Sequence, residues 1–229
     1  KKSLFFVPGD LEIPELVTGF LPSECSLFKG ADYGTSTSYT IHFPGRSNKN
    51  PWYQYIISKN LNVTGELKYL PDEYLTASIE QRRDLLAGLL DCDGGVSDGR
   101  VSYSTSSHKL ALNVVSLVQS LGGVATISTR KGRLRYRDGK VCQELDNYRV
   151  FIRIPFNPFY RESNNQKWKL STKLIRQIVS IEYAYQSEAT CISIDAPDHL
   201  YIIKDHIVTH NTTTSISTVV AANLHKKPG

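Results

Sequence analysis

The chain has 229 residues, 40% of them hydrophobic, with a net charge of +5, a balance that supports one large or two modest folded domains and excludes disorder. No apolar run is long enough to span a bilayer, and no charged start precedes a short apolar core, so neither a membrane partner nor a signal peptide is read from the sequence. Four cysteines, Cys25, Cys92, Cys142 and Cys191, form no Cys-x-x-Cys pair, which suggests neither a disulfide framework nor a zinc site and points to a reducing, cytoplasmic compartment. Met is absent and the chain opens on Lys1-Lys2, so further sequence is expected upstream.

Residues 1–80 read as short strands and loops of an α+β fold. Residues 3–7 and the alternating run at 36–43 are predicted strands, polar breakers fill 44–51, and residues 52–61 read as a short amphipathic helix. Cys25 and His42 have no partner at metal-ligand spacing and read as structural side chains. The strongest helix signal follows. Ser78 and Gln81 form a capping box, and an apolar run from Leu85 to Leu90 ends in Asp91-Cys-Asp-Gly-Gly95.

The segment Leu86-Ala-Gly-Leu-Leu-Asp-Cys-Asp-Gly94 resembles the signature of the LAGLIDADG homing endonucleases, with Leu90 for isoleucine and Cys92 for alanine. The resemblance implies mixed αβ repeats with a DNA-binding β-saddle. It also implies a helix packed through Ala87 and Gly88 against a second such helix, with their acidic ends meeting. There a carboxylate holds Mg²⁺ for phosphodiester hydrolysis. By motif position Asp93 is the metal-binding acid, and Asp91 is expected to help end the helix.

Beyond it come a predicted strand at 101–105 and a helix at 109–121 stopped by Gly122-Gly123. Residues 129–140 then read as a basic β-ribbon. Arg133, Arg135 and Arg137 share one face at spacing two, and Asp138-Gly139 is a tight turn. Arg130, Lys131, Arg133, Arg135, Arg137 and Lys140 are the predicted contacts to double-stranded DNA. Residues 148–155 extend the sheet, where Arg149 and Arg153 continue the basic face. Lys167 or Lys169 lies where this family often places an active-site lysine, and either also reads as a surface lysine. From residue 175 the composition turns strand-like, through 178–182.

Residues 191–212 resemble the two C-terminal motifs of inteins, protein-splicing elements: a strand, His199 before Tyr201, and then Ile207-Val-Thr-His-Asn-Thr212. The Asn211 amide can attack its own main-chain carbonyl and cut the chain after itself, His210 can protonate the leaving nitrogen, and the Thr212 hydroxyl can hold an acyl group. Cys191, with Thr209 before the His-Asn pair, resembles the intein class in which an internal cysteine makes the first attack. Cys191 reads equally as a small core-filling residue. Thr105-Ser-Ser-His108 matches the Thr-x-x-His splicing motif by letters, but it sits within the endonuclease repeat and is not assigned that role.

The expected organisation is an endonuclease domain at 1–174, the C-terminal part of a β-rich Hint splicing domain at 175–211, and host sequence at 212–229. The partners implied are a DNA homing site, an absent N-terminal intein fragment carrying the second acidic helix, and the host exteins. Residues 212–225 resemble the helix that follows a phosphate-binding loop, so the host is expected to be a P-loop ATPase such as a terminase large subunit or a helicase, with Thr212 restoring Gly-Lys-Thr. The alternatives are a free-standing homing endonuclease and a LAGLIDADG protein that binds DNA without cutting.

Overall fold

A computed structural model describes residues 4–32, 34, 37–44, 50–137, 140–171, 173–183, 185–186, 188, 192 and 194–210. The chain divides into two units, Lys1–Ile175 and Arg176–Gly229.

The first unit opens with β1 (Leu4–Phe6), α1 (Glu12–Phe20), β2 (Ser26–Asp32) and β3 (Thr37–His42), the strands forming an antiparallel sheet in the order β1-β3-β2. The predicted helix at 52–61 is α2 (Pro51–Ser58), which starts one residue earlier and ends three residues earlier. The Oδ1 atom of buried Asn50 accepts from the amides of Trp52 and Tyr53 at 3.0 and 3.1 Å, and Pro51 has no amide to satisfy. A left-handed Asn60, φ 50°, turns the chain out of the helix.

After a 3₁₀ turn at Gly65–Leu67 comes α3 (Asp72–Leu75). It is tied to α2 by Glu73, which accepts from the Tyr55 hydroxyl at 2.7 Å and pairs with Lys59 at 2.7 Å. Hydrogen bonds from Lys59 and then Tyr55 hold the Glu73 carboxyl down at about 2, against an ordinary 4.5. Because the folded value is the lower one, this contribution is complete above pH 4.5 and disappears as pH falls towards 2. Thermal melts of wild type and Glu73→Gln should therefore differ at pH 6 and converge near pH 2. A gap that does not change with pH would contradict the assignment.

The capping box is present: the Ser78 hydroxyl accepts from the Gln81 amide and the Gln81 side chain from the Ser78 amide, both at 3.2 Å. It opens α4 (Ile79–Asp93), which runs without a loop into β4 (Gly94–Ser97). A Cβ on Gly94 would lie 2.8 Å from Leu90 Cα and from the Leu90 carbonyl oxygen, so only glycine makes this junction. A turn with both Asp98 and Gly99 at positive φ (51° and 74°) leads to β5 (Arg100–Thr105).

The Thr105-Ser-Ser-His108 stretch caps α5 (His108–Ser120). Ser107 is fully buried, accepts from the Leu110 amide at 3.1 Å and donates to the Lys68 carbonyl at 2.6 Å. Gly122, φ 79°, ends α5. β6 (Val124–Arg130), β7 (Leu134–Arg137), β8 (Lys140–Gln143) and β9 (Asn147–Arg153) follow, and then the short α6 (Glu162–Asn165).

The main sheet is antiparallel with order β4-β5-β9-β6. Strand alternation puts Val101, Tyr103, Val150 and Ile152 on its inner face, where Leu86 and Leu90 of α4 and Leu110, Val114, Leu117 and Val118 of α5 complete a buried core. Both helices thus cover one face and leave the other open.

The second unit contains β10 (Leu200–Ile203) and β11 (Ile207–His210), an antiparallel hairpin. The strand expected at 178–182 is not formed. Ile178, Val179 and Ile181 are 80%, 96% and 70% exposed, and apolar β-formers make a strand only where a neighbouring strand takes up their backbone groups. Among the described residues, no helix is long and apolar enough to cross a membrane.

Candidate functional site

The two carboxylates at the end of α4 have opposite surroundings. Asp91 is 5% exposed. Its Oδ2 accepts from the Tyr160 and Arg161 amides at 2.8 and 3.2 Å, and its Oδ1 accepts from the Asn164 side chain at 3.2 Å. Arg161 in turn donates to the Asp91 carbonyl at 3.2 Å and pairs with Asp10. Asp91 therefore does not end the helix, as the sequence suggested; Gly94 does, and Asp91 binds the 160–164 segment to α4.

Asp93 is exposed, and no hydrogen bond or ion pair engages it among the described residues. It lines a cleft of about 270 Å³ with Leu85, Leu89, Tyr103 and Lys68. Burial, and next the charge of Asp93, pushes the Tyr103 hydroxyl far above its ordinary range. Lys68, assigned no role from the sequence, is the lysine that shares this cleft. Lys167 is exposed on the surface after α6. Lys169 packs against Gly99, where an added Cβ would meet its side chain at 3.2 Å. That is the far end of the β4–β5 hairpin from Asp93, about 13 Å away for four residues of strand.

The open face of the main sheet is polar and basic. Register aligns Ser104, Arg149 and Ser128 across three strands, and next to them Ser102, Phe151 and Thr126. The outward positions also include Arg100, Arg130 and Arg153, and none of them is Asp or Glu. Arg149 leans on Ser104, Nε to Oγ at 3.4 Å.

The expected ribbon forms as β7 and β8, with Leu134 opposite Gln143 and Arg137 opposite Lys140. The predicted turn residues 138 and 139 lie outside the described residues. Two of the predicted DNA contacts are paired: Arg135 to Glu144 at 2.6 Å and Lys131 to Asp146 at 2.7 Å. Arg130 lies on the main sheet, and Arg133 precedes β7, its carbonyl accepting from the Glu144 amide at 3.0 Å. At Gly132 the chain passes so close to Glu144 that a Cβ would stand 1.9 Å from its carbonyl oxygen.

In the second unit, β10 and β11 pair Leu200 with His210 and Tyr201 with Thr209. His199 directly precedes Leu200, so the register brings His199 and His210 to the same end of the hairpin. His199 adopts φ 52°, and its Nδ1 lies 3.0 Å from the Ile194 carbonyl oxygen. Cys191, Asn211 and Thr212 lie outside the described residues, as does the whole segment expected to be host sequence.

Residues 80–154 match the family model described as a LAGLIDADG-like domain. The chain carries a LAGLIDADG-like domain. A replicative DNA helicase DnaB of Mycobacterium intracellulare is 31% identical over 162 residues, covering 69% of this chain and 28% of the relative. Three solved structures of the homing endonuclease I-DmoI are similar, each with a TM-score of 0.41 over 66% of this chain. A set of mesophilic variants is 11% identical, with 72% of that chain covered. A variant with its target DNA and Mg is 12% identical over 72% of that chain. A complex with DNA and Mn is 11% identical over 73% of that chain. The LAGLIDADG-like domain contains Asp91, Asp93 and all four strands of the main sheet, whereas Lys68, Lys167 and Lys169 fall outside the matched residues.

Proposed function

We propose that this chain is the C-terminal portion of an intein with a LAGLIDADG homing endonuclease domain, lodged in a helicase-type P-loop ATPase. The observation that carries the DNA reading is the open sheet face, which holds four arginines and no acid beside a helix end whose terminal carboxylate is unengaged. Duplex DNA offers an anionic surface of matching chemistry, with Arg133 at the start of the ribbon extending the contact. Mg²⁺ would be held in part by Asp93. When bound, such an ion neutralises the scissile phosphate and activates water. Among the described residues, however, no three metal-ligating side chains come together, so Asp93 furnishes half of a centre and a second acidic helix must furnish the rest. Gly88, mid-helix and exposed with nothing within 4 Å of an added Cβ, leaves room for that helix. A solvent-facing glycine there costs about 1 kcal/mol relative to alanine, a cost that close helix packing would offset.

The splicing half of the reading is supported by the β10–β11 register, which brings His199 to the same end of the hairpin as His210, the neighbour of Asn211 in the sequence. The Asn211 side-chain nitrogen attacks its own carbonyl carbon, the bond to Thr212 breaks, and His210 delivers a proton to the departing nitrogen. The products are a succinimide and a free Thr212 amine. The helicase relative adds support for the host. Any continuous stretch covering 69% of 229 residues includes residues 80–154, so a helicase sequence contains a segment akin to this LAGLIDADG-like domain. The first splicing nucleophile is Cys191 or a residue upstream of Lys1.

The test of the DNA reading is binding of the whole chain to a short blunt duplex across a salt series. Log affinity should fall linearly with log salt, and Arg149→Ala should weaken binding on every sequence and reduce the slope by about 1. Salt-independent binding, or an Arg149→Ala slope equal to wild type, would exclude this face as the contact.

A further inference from the structure

We propose that the main sheet ends in a pocket for an unpaired nucleotide of a nucleic-acid strand, at the edge of the duplex-binding face and sharing Arg100 and Arg153 with it. A cavity of about 590 Å³ opens where β5, β6 and β9 meet the 168–173 segment, within the range of about 300–1,000 Å³ for small-ligand sites. Its lining includes four cations, Arg100, Arg153, Lys169 and Lys173, and no acid. None of the four enters an ion pair among the described residues. The wall is tied to the sheet: Arg153 donates to the Lys173 carbonyl at 3.1 Å, and the stem of Lys169 lies on Gly99.

Charge selects an anion, and the remaining lining narrows the choice. The Phe151 ring is 43% exposed and Trp168 is half-buried, among Val124, Ile154 and Leu170. Inorganic phosphate would use the cations and leave these rings idle. A paired base hides its faces in the stack, so only an unstacked base can lie against an aromatic side chain while its phosphates meet lysine and arginine. The pocket thus fits one nucleotide that has left the duplex, or that never had a partner. The proposal rests on reading this end of the molecule as a nucleic-acid surface, and goes beyond the duplex contacts of Arg149 and the ribbon.

The two tryptophans are Trp52 and Trp168, so in a Trp52→Phe background Trp168 reports on the cavity. Oligothymidylate titrated into the full chain should quench its fluorescence. Phe151→Ala should weaken that binding about tenfold, Phe151→Tyr should retain it, and Lys169→Gln with Lys173→Gln should flatten its salt dependence. Thymidine 5′-monophosphate should compete weakly and inorganic phosphate more weakly still. The proposal fails if quenching is absent, if Phe151→Ala binds like wild type, or if inorganic phosphate competes as well as the monophosphate, which marks an anion site only. Competition by the free monophosphate equal to that by the oligomer assigns the pocket to free nucleotides and overturns the strand. Loss of blunt-duplex binding with quenching intact sinks the duplex reading and leaves this one standing.

Discussion

Asp91→Ala is expected to destabilise the first unit by about 3–5 kcal/mol, while Asp93→Ala, two residues on, is expected to change stability by less than about 0.5 kcal/mol. The asymmetry follows from what each carboxylate touches. Removing Asp91 strands the Tyr160 and Arg161 amides and the Asn164 amide group in a buried place with no acceptor, and each such orphan costs about 1–3 kcal/mol. The Arg161 guanidinium keeps its own partners, the Asp91 carbonyl, Asp10 and Glu12, so the loss falls on these three donors. Asp91→Asn should be nearly as damaging, because it turns an NH₂ group towards donors. For a unit of this size the expected loss is roughly 10 °C in Tm for the Asp91 variants and at most about 2 °C for Asp93→Ala, read by thermal melts. Equal effects of the two substitutions would remove the division of labour between them. In an assembly reconstituted with the second acidic helix, Asp93→Ala should instead abolish specific cutting while the fold persists.

Asn211→Ala is expected to abolish release of the segment that begins at Thr212. Alanine carries no nucleophile to close the five-membered ring, so the loss should be complete. His210→Ala should slow release by about 10²–10⁴-fold, the usual worth of a positioned proton donor. Mass spectrometry of the chain, with the N-terminal portion supplied, reads both. Undiminished cleavage in Asn211→Ala would mean that the bond is broken by another route. Blocking Asn211 also exposes the earlier step: a branched species that hydroxylamine releases, absent in Cys191→Ala, would identify Cys191 as the first nucleophile. Normal N-terminal cleavage in Cys191→Ala would leave that cysteine as packing.

The local signals proved legible because they act over one turn of chain. The Ser78/Gln81 box, the glycine stop after α5 and the alternation in β5 and β9 each depend on neighbours within a few positions, and all stand in the structure. What could not be read depends on residues far apart. The partners that distinguish Asp91 from Asp93 come from 69 to 73 positions away. Lys68 reaches the Asp93 cleft because Ser107, 39 positions later, holds its carbonyl. Lys169 was placed by its position after the repeat, yet it settles on Gly99. The pairing of Arg135 with Glu144 and of Lys131 with Asp146 was legible in principle, since an antiparallel β7–β8 ribbon brings those acids back alongside the basic run. The run at 178–182 misled because β-propensity describes a side chain on a pleated surface, and no neighbouring strand supplies that surface among the described residues.

The junction at Gly94 has a mechanical meaning. A helix normally hands over to a strand through a few residues that can absorb a small rotation, but here Asp93 is the last helical residue and Gly94 the first of the strand, packed onto the turn below. There is no slack. A twist of the sheet edge is passed directly to the last turn of α4, as the hub of a crank moves with its arm, so the backbone that carries Asp93 follows the edge of the sheet.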